Sequence, residues 1–486
     1  MTTDTVHALM AALLELLGPE RLVTSGPDLA YYGSDRGQGG WEVRPSMIAF
    51  PETTSEIQAI VRACAENGVA IVPSGGRTGL AGAATATRGE LVLSLSRMSR
   101  VLELDRAART MRCQAGVTIE QVQTAAAAAG LLYPVDYAAK GSAHIAGSVA
   151  TNAGGVRVVR YGLTRDWIAG LRVVLASSAV LELGGGLVKN NTGYDLRQLF
   201  IGSEGTLGII AEVTVKLCSP PSGTIVALCA VPSDDAVLEL FARVRRGRFT
   251  VSAFECLDHG CIERVLEHRG SDAAAPFAEP SPHYVLVEVE LPEADESERE
   301  AARERAQSRL VSLLGEAAEA GEIDDAQFAS TDAQARALWA LREDIGEALH
   351  RHHPHKADVA LPIGRVAAFA HDWRRLVSAR LPDVEALCFG HVGDGNLHLN
   401  LLRPADASHA EFLARCHAYD RELYALVERH AGSVSAEHGI GLLKRDYLHH
   451  TRSEPELELM RAIKAAFDPA GLLNPGKIFG ERERAP

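Results

Sequence analysis

Three signatures that would assign a function at once are missing from this chain. No G-x-G-x-x-G occurs, which speaks against a nicotinamide-binding Rossmann domain, and no G-K-[ST] follows a glycine loop, so there is no Walker A site. The eight cysteines are scattered without a C-x-x-C. Cys256 and Cys261, the closest pair, have nothing nearby to complete a zinc ribbon, and all read as buried free thiols of a reducing compartment, the cytoplasm. Positive charge is also short: a net charge of −14 argues against nucleic-acid binding, which normally shows a basic stripe. No apolar run approaches the roughly 18 residues of a membrane-spanning helix. The opening DTVHALMAALLELLGPE lacks the basic leader of a signal peptide and carries Glu15. Val6, Leu9, Met10, Leu13, Leu14 and Leu17 follow helical spacing, with Gly18 as a stop, and predict an amphipathic helix of the mature protein.

What is present is long and ordinary in composition. With 486 residues, 23% charged and 47% hydrophobic, the chain should divide into two or three globular domains. MIAFP, VAIVP, LVLSLSRM and TMRCQAGVTI read as strands, TSEIQAIVRACAENG and IEQVQTAAAAAG as helices. IAGLRVVLASSAVLELGGG reads as two strands joined at a Ser-Ser turn. SPPSG, Ser219 to Gly223, is a boundary, and beyond it TIVALCAV and HYVLVEVEL are strands again. The segment ADESEREAARERAQSRLVSLLGEAAEAGE predicts a helix whose charge serves solubility, and two more helices are expected past Asn400.

Two features carry chemistry. Gly76, Gly79 and Gly82 follow a strand, Gly202, Gly205 and Gly208 repeat the same spacing, and TNAGGVRVVRYG lies between them. Glycines let main-chain N–H groups approach an anion closely, so three clusters in one domain favour a large phosphate-bearing cofactor held mostly by backbone. The second feature is HVGDGNLH, His391 to His398. An Asp-Gly pair predicts a two-residue hairpin loop, which would set His391 opposite His398, with Asn400 on the same face. A solvated surface hairpin is the plainer alternative. Downstream, SVSAEHGIG supplies Glu437 and His438 in what reads as an irregular loop, and two histidines with one glutamate make an open zinc-type set. Taken alone, Glu437 could equally be a surface carboxylate.

The motifs PSGGRTGLAGAATA, ATNAGGVRVVRYGLTRDWIAGLRVVL, NNTGYDLRQLFIGSEGTLGIIAEVTVKL, FGHVGDGNLHLNL, SAEHGIGLLKRD and LLNPGKIF occur in the order of one family. Over roughly Val43 to Phe479 the chain resembles the FAD-dependent D-2-hydroxyacid dehydrogenases of the vanillyl-alcohol-oxidase type. That group includes dehydrogenases of D-2-hydroxyglutarate and D-lactate and the flavin subunit of glycolate oxidase. The resemblance implies an α+β fold: a two-subdomain FAD-binding domain of the PCMH type over 1–219, an α+β substrate cap carrying the metal site over 220–468, and a C-terminal segment, 469–486, returning to the FAD domain.

Residue by residue, the resemblance gives Ser74, Gly75, Gly76, Arg77, Thr78, Gly79 and Leu80 to the FAD pyrophosphate. Gly141, Ser142, Gly147, Asn152, Gly154 and Gly155 would line a second stretch of the flavin site, and Gly205, Thr206, Ile209 and Asn474 would complete it. His391, His398 and Glu437 would hold a divalent metal, zinc foremost, with His438 as the base and a further substrate contact. Arg342, Lys356 and Asn400 match positions that hold substrate. One departure is Gly346, where the 2-hydroxyglutarate enzymes have threonine, so D-lactate or glycolate stands beside D-2-hydroxyglutarate as the substrate. The implied chemistry is hydride transfer from Cα of the hydroxy acid to flavin N5.

Plainer readings accompany each assignment. Arg342 could pair with neighbouring Glu343 or Asp344 on a surface, and RHHPH before Lys356 could bind metal adventitiously but reads rather as a solvated loop. His144 could attach the flavin covalently, although non-covalent binding is expected; Tyr161 and Tyr194 read as core or loop anchors. A flavin-free metallohydrolase would leave the glycine loops unexplained, and a flavin protein without turnover would leave the metal set and base without a task. The oxidant that regenerates the flavin, an electron-transferring flavoprotein or a quinone, is not legible, and a homodimer is the commonest assembly.

Overall fold

The computed structural model describes residues 3–37, 39–270, 274–293, 295 and 297–480. Ala294 and Glu296 of the expected charged helix, and the last six residues of the expected C-terminal segment, lie outside them. The chain forms two compact units: 1–155 with 162–220 and 437–486, and 156–161 with 221–436. The chain leaves the first unit after Gly155, returns at Gly162, leaves again after Pro220 and returns at Glu437.

In the first unit a small sheet runs in the order Leu22–Val23, Met47–Ala49, Leu91–Ser94, Ile71–Ser74, the last three strands parallel. A second, antiparallel sheet runs Val101–Asp105, Thr110–Gln114, Ile209–Lys216, Ile168–Val174, Val180–Gly184. The opening helix is Thr3–Leu17, with Leu9, Leu13 and Leu17 buried and Gly18 at φ +76°, as its pattern requires. Helix Thr54–Glu66 starts where Thr53 and Glu56 exchange side-chain and main-chain bonds, and it buries Ile57, Ile60, Val61 and Cys64 at spacings of three and four. One apolar core joins these helices to both sheets.

The second unit centres on a seven-stranded antiparallel sheet. Its order is Asp325–Phe328, Thr224–Val231, His283–Glu290, Thr250–Asp258, Glu385–Gly390, Asn396–Leu402, His355–Ala360. Helices His259–Arg269, Asp332–Glu343 and Ile345–His350 share a buried cluster with Leu257, Leu387 and Phe389 of one sheet face. The charged helix spans Arg299–Glu319 and buries only Ala302, Ala306, Leu310, Leu314 and Ala317.

The expected hairpin register is corrected here. Strands Glu385–Gly390 and Asn396–Leu402 pair Phe389, not His391, with His398, and residues 391–395 form the connection. Gly390 at φ +157° and Gly395 at φ +86° turn the chain, whereas Asp394 keeps a negative φ, so a two-residue loop with both central residues left-handed does not form.

Candidate active site

The first unit contains an open cleft whose empty space, solvent at its mouth included, is about 1400 Å³. Its wall includes Ser74, Gly75, Gly76, Arg77, Thr78, Gly79, Leu80, Gly147, Gly154 and Gly205, together with Glu437 and His438. The other expected cofactor residues, Gly141, Ser142, Asn152, Gly155, Thr206, Ile209 and Asn474, are not on that wall. A Cβ on Gly76 would lie 2.0 Å from the carbonyl oxygen of Ser142, so only glycine lets these two strands of backbone close. Gly155 approaches the Asp136 carbonyl in the same way, 2.1 Å from its would-be Cβ, at φ +137°. Gly141 stands 3.4 Å from Glu120 by the same measure, Asn152 accepts from Arg165 N at 3.0 Å, and Thr206 donates to Ser203 O. Ile209 is fully buried in its strand.

Asn474, also buried, donates through Nδ2 to the carbonyls of Ala83 and Glu204, at 2.9 and 2.6 Å. It therefore supports the wall rather than forming it. Arg77 sits at φ +57° with its guanidinium 4.0 Å from the Tyr31 ring centroid, turned onto an aromatic face.

Does this cleft suit a flavin dinucleotide? Ser74 Oγ and His144 Nδ1 are buried on its wall without a hydrogen-bond partner among the described residues. Leaving such groups unmade costs about 1–3 kcal/mol each, which a bound polar ligand recovers. Burial, with Arg77 close by, holds His144 down at about 4, so its imidazole is neutral. The residues fit the cofactor.

Sequence reasoning passed over Glu204. It is buried on the cleft wall at φ +51°, a left-handed conformation that non-glycine residues hold only under constraint. Its Oε1 accepts from Ile440 N at 2.7 Å and its Oε2 from Gly441 N at 2.8 Å. These bonds fix the loop that carries Glu437 and His438, whose carboxylate and imidazole stand 3.9 Å apart. Burial pushes the Glu204 carboxyl up to about 7, against the pull of the two backbone bonds. A charged residue at an otherwise small position of GSEGTLG was the available signal.

A second group of functional side chains occupies one face of the sheet in the second unit. Lys356 lies opposite Asn400 and Asp358 opposite His398, so alternation puts all four on that face. Glu255, on strand Thr250–Asp258, accepts from His391 Nδ1 at 2.7 Å through Oε1 and from Arg342 Nε at 2.7 Å through Oε2. Arg342 is thus buried and paired with Glu255, not with its helix neighbours, and its guanidinium stacks 4.7 Å from the centroid of Phe389. Burial by itself would raise the Glu255 carboxyl; His391 and Arg342 instead hold it at about 2.

His398 presents Nδ1 to Asp358 Oδ1 at 3.4 Å, and its Nε2 lies 3.4 Å from Nε2 of His391. With each Nδ1–H aimed at a carboxylate, both Nε2 lone pairs converge. Carboxylate-backed imidazoles of this kind are how proteins orient metal-ligating histidines. The donor set in this unit fits a divalent ion of the zinc class. Glu255 and Asp358 were absent from the sequence reading, although a carboxylate among apolar residues, in SAFECL and in ADVALP, marks each.

Other expectations change. His355 of RHHPH is buried at the start of a strand, not in a solvated loop, and Tyr194 is 97% exposed, so it anchors nothing. Tyr161 donates to Glu290. All eight cysteines are free, and seven are buried. No helix among the described residues is long and apolar enough to cross a membrane.

Residues 220–478 match the family model of the C-terminal domain of FAD linked oxidases, and residues 45–184 match that of an FAD binding domain. The chain belongs to the FAD linked oxidases, and it is an FAD-dependent oxidoreductase. It is 46% identical to a D-2-hydroxyglutarate dehydrogenase of Xanthomonas citri pv. viticola, covering 99% of this chain and 98% of that one. It is 41% identical to a protein of the same name from Stutzerimonas stutzeri, covering 97% and 99%. Among solved structures, p-cresol methylhydroxylase with substrate bound matches 99% of this chain and 98% of its own, with a TM-score of 0.76 at 17% identity. That likeness establishes the PCMH-type fold.

Proposed function

We propose that this enzyme oxidises a D-2-hydroxy acid, D-2-hydroxyglutarate foremost, to the 2-oxo acid. The observation that carries the reading is the pair of carboxylate-backed imidazoles beside Arg342 and Asn400, in a chain that also has an FAD-binding domain. Two relatives named for that activity support it. His391, His398 and Glu437 would hold a divalent metal, zinc foremost, which would supply Lewis-acid chemistry that lowers the pKa of the α-hydroxyl. His438 takes the hydroxyl proton as general base. Arg342 uses Nε for Glu255, and its terminal nitrogens form the fork that a substrate carboxylate engages. Lys356 and Asn400 complete the anchoring. FAD, held non-covalently in the cleft, would supply the acceptor for the hydride lost from Cα.

A second reading, D-lactate or glycolate, is favoured by Gly346, which removes a hydroxyl expected beside a second carboxylate. We place the enzyme in the cytoplasm, in keeping with its free thiols, and take a homodimer as its assembly. Its oxidant belongs to the class of electron-transferring flavoproteins or quinones.

The test is anaerobic mixing of the flavoprotein with D- and L-2-hydroxy acids while following the flavin absorbance. Rapid bleaching by a D-acid, D-2-hydroxyglutarate before D-lactate, is expected. Equal bleaching by L-acids, or none by any of them, overturns the proposal.

A further inference from the structure

The reverse of the same sheet carries a second constellation that the reading above does not use. Strand His355–Ala360 sends Lys356 and Asp358 to the face described; His355, one residue earlier, points to the other. There it meets helix His409–Arg429, on which His417 and Asp420 are three residues apart and so share one side. His355 and Asp420 are buried, with His355 Nε2 2.8 Å from Asp420 Oδ1, while His417 is exposed. The rings of His355 and His417 have centroids 5.9 Å apart, and one donor atom from each of the three residues lies within 4.8 Å of the others.

We infer that His355, His417 and Asp420 form a binding site for a divalent transition-metal ion. A buried His–Asp hydrogen bond accounts for two of these groups; it leaves unexplained why a third donor stands over them. Bond lengths near 2.1 Å place the ligands of a tetrahedral ion about 3.3 Å apart. The His355–Asp420 pair opens by about half an ångström to reach that spacing, and His417, exposed and free to turn, closes the remainder. Two imidazoles and one carboxylate select zinc, nickel or copper over calcium and magnesium, which take oxygen ligands. Water completes the shell. The ion clips the strand carrying Lys356 and Asp358 to the helix behind it, and it sits on the opposite face from His398 and Asn400, so it is a structural ion and not a reacting one.

The experiment counts zinc in the full-length flavoprotein after chelator treatment, reloading with zinc and dialysis, by elemental mass spectrometry per chain. His417→Ala removes an exposed ligand, and Asp420→Asn keeps a hydrogen-bonding partner for His355 while losing the carboxylate charge. Each variant is expected to bind one ion fewer than the wild type, with unchanged flavin content and with a smaller rise in Tm on zinc addition. The difference of one ion is read whether or not His391 and His398 hold a metal, so the outcome is separate from the dehydrogenase reading. Equal zinc counts in wild type and both variants overturn the inference.

Discussion

The cleft of the first unit and the sheet face of the second are built from opposite materials. The cleft is walled largely by main chain and by glycine, alanine and serine, and its critical contacts are backbone approaches such as Gly76 to Ser142. The sheet face is made of ionisable side chains, each buried carboxylate matched by a partner: Glu255 with Arg342 and His391, Asp358 with His398. A large cofactor is recognised by shape and by many amides, so the cleft tolerates few changes of volume and many of charge. A small acid is recognised by a handful of fixed charges, so the sheet face tolerates few changes of charge.

The contrast breaks first if volume proves harmless in the cleft. Gly76→Ala puts a methyl 2.0 Å from a carbonyl, and we expect nearly complete loss of bound flavin, read as the ratio of visible to protein absorbance. Next comes the proposed base: His438→Ala should lower kcat about 10²–10⁴-fold while leaving flavin content intact.

On the sheet face the test is charge. Glu255→Gln leaves the buried Arg342 guanidinium without its acid and His391 without the carboxylate that orients it, a loss of about 3–5 kcal/mol by denaturant titration. The sign follows from its depressed carboxyl. Because it is near 2 when folded and near 4.5 when unfolded, its stabilisation is complete above pH 4.5 and disappears as pH falls towards 2. The variant should therefore lack that acid-sensitive component.

Glu204 is the exception that sharpens the comparison, a buried carboxylate in a backbone-walled cleft. Its carboxyl is raised to about 7, so the folded state holds a proton the unfolded state has lost, and stability falls by about 3 kcal/mol between pH 4.5 and 7. Glu204→Gln removes that slope, and by presenting an amide N–H to Gly441 it should loosen the His438 loop and lower kcat about tenfold or more. The smallest effect is Gly346→Thr. Nothing lies within 4 Å of its would-be Cβ, so the side chain fits; we expect a several-fold lower KM for D-2-hydroxyglutarate and no change for D-lactate.

The two regions also differed in how much the sequence disclosed. Glycine clusters announce a backbone-lined cleft because no other residue can replace them, and Ser74 to Leu80 indeed line it. The adjacency of His391 and His398 was legible as well, though for the wrong register: a five-residue connection, not a two-residue loop, brings their Nε2 atoms to 3.4 Å. Glu255 was invisible because its partners lie 87 and 136 positions away, and no local pattern links them. Strands Thr250–Asp258 and Glu385–Gly390 escaped notice for a related reason: covered on both faces, they show no alternation to read.

The first unit is assembled from three stretches of chain, the last beginning at Glu437. Leu473 lies fully buried in its core, paired alongside Ile71, and Asn474 N donates to the Ile71 carbonyl at 2.7 Å. A ribosome adding about 5–20 residues per second therefore finishes the inserted unit before the flavin domain can close, although that domain's first strands emerged long before. Newly made protein passes through a stage in which those strands wait unsealed, and cofactor capture is delayed until the stretch from Glu437 has been made.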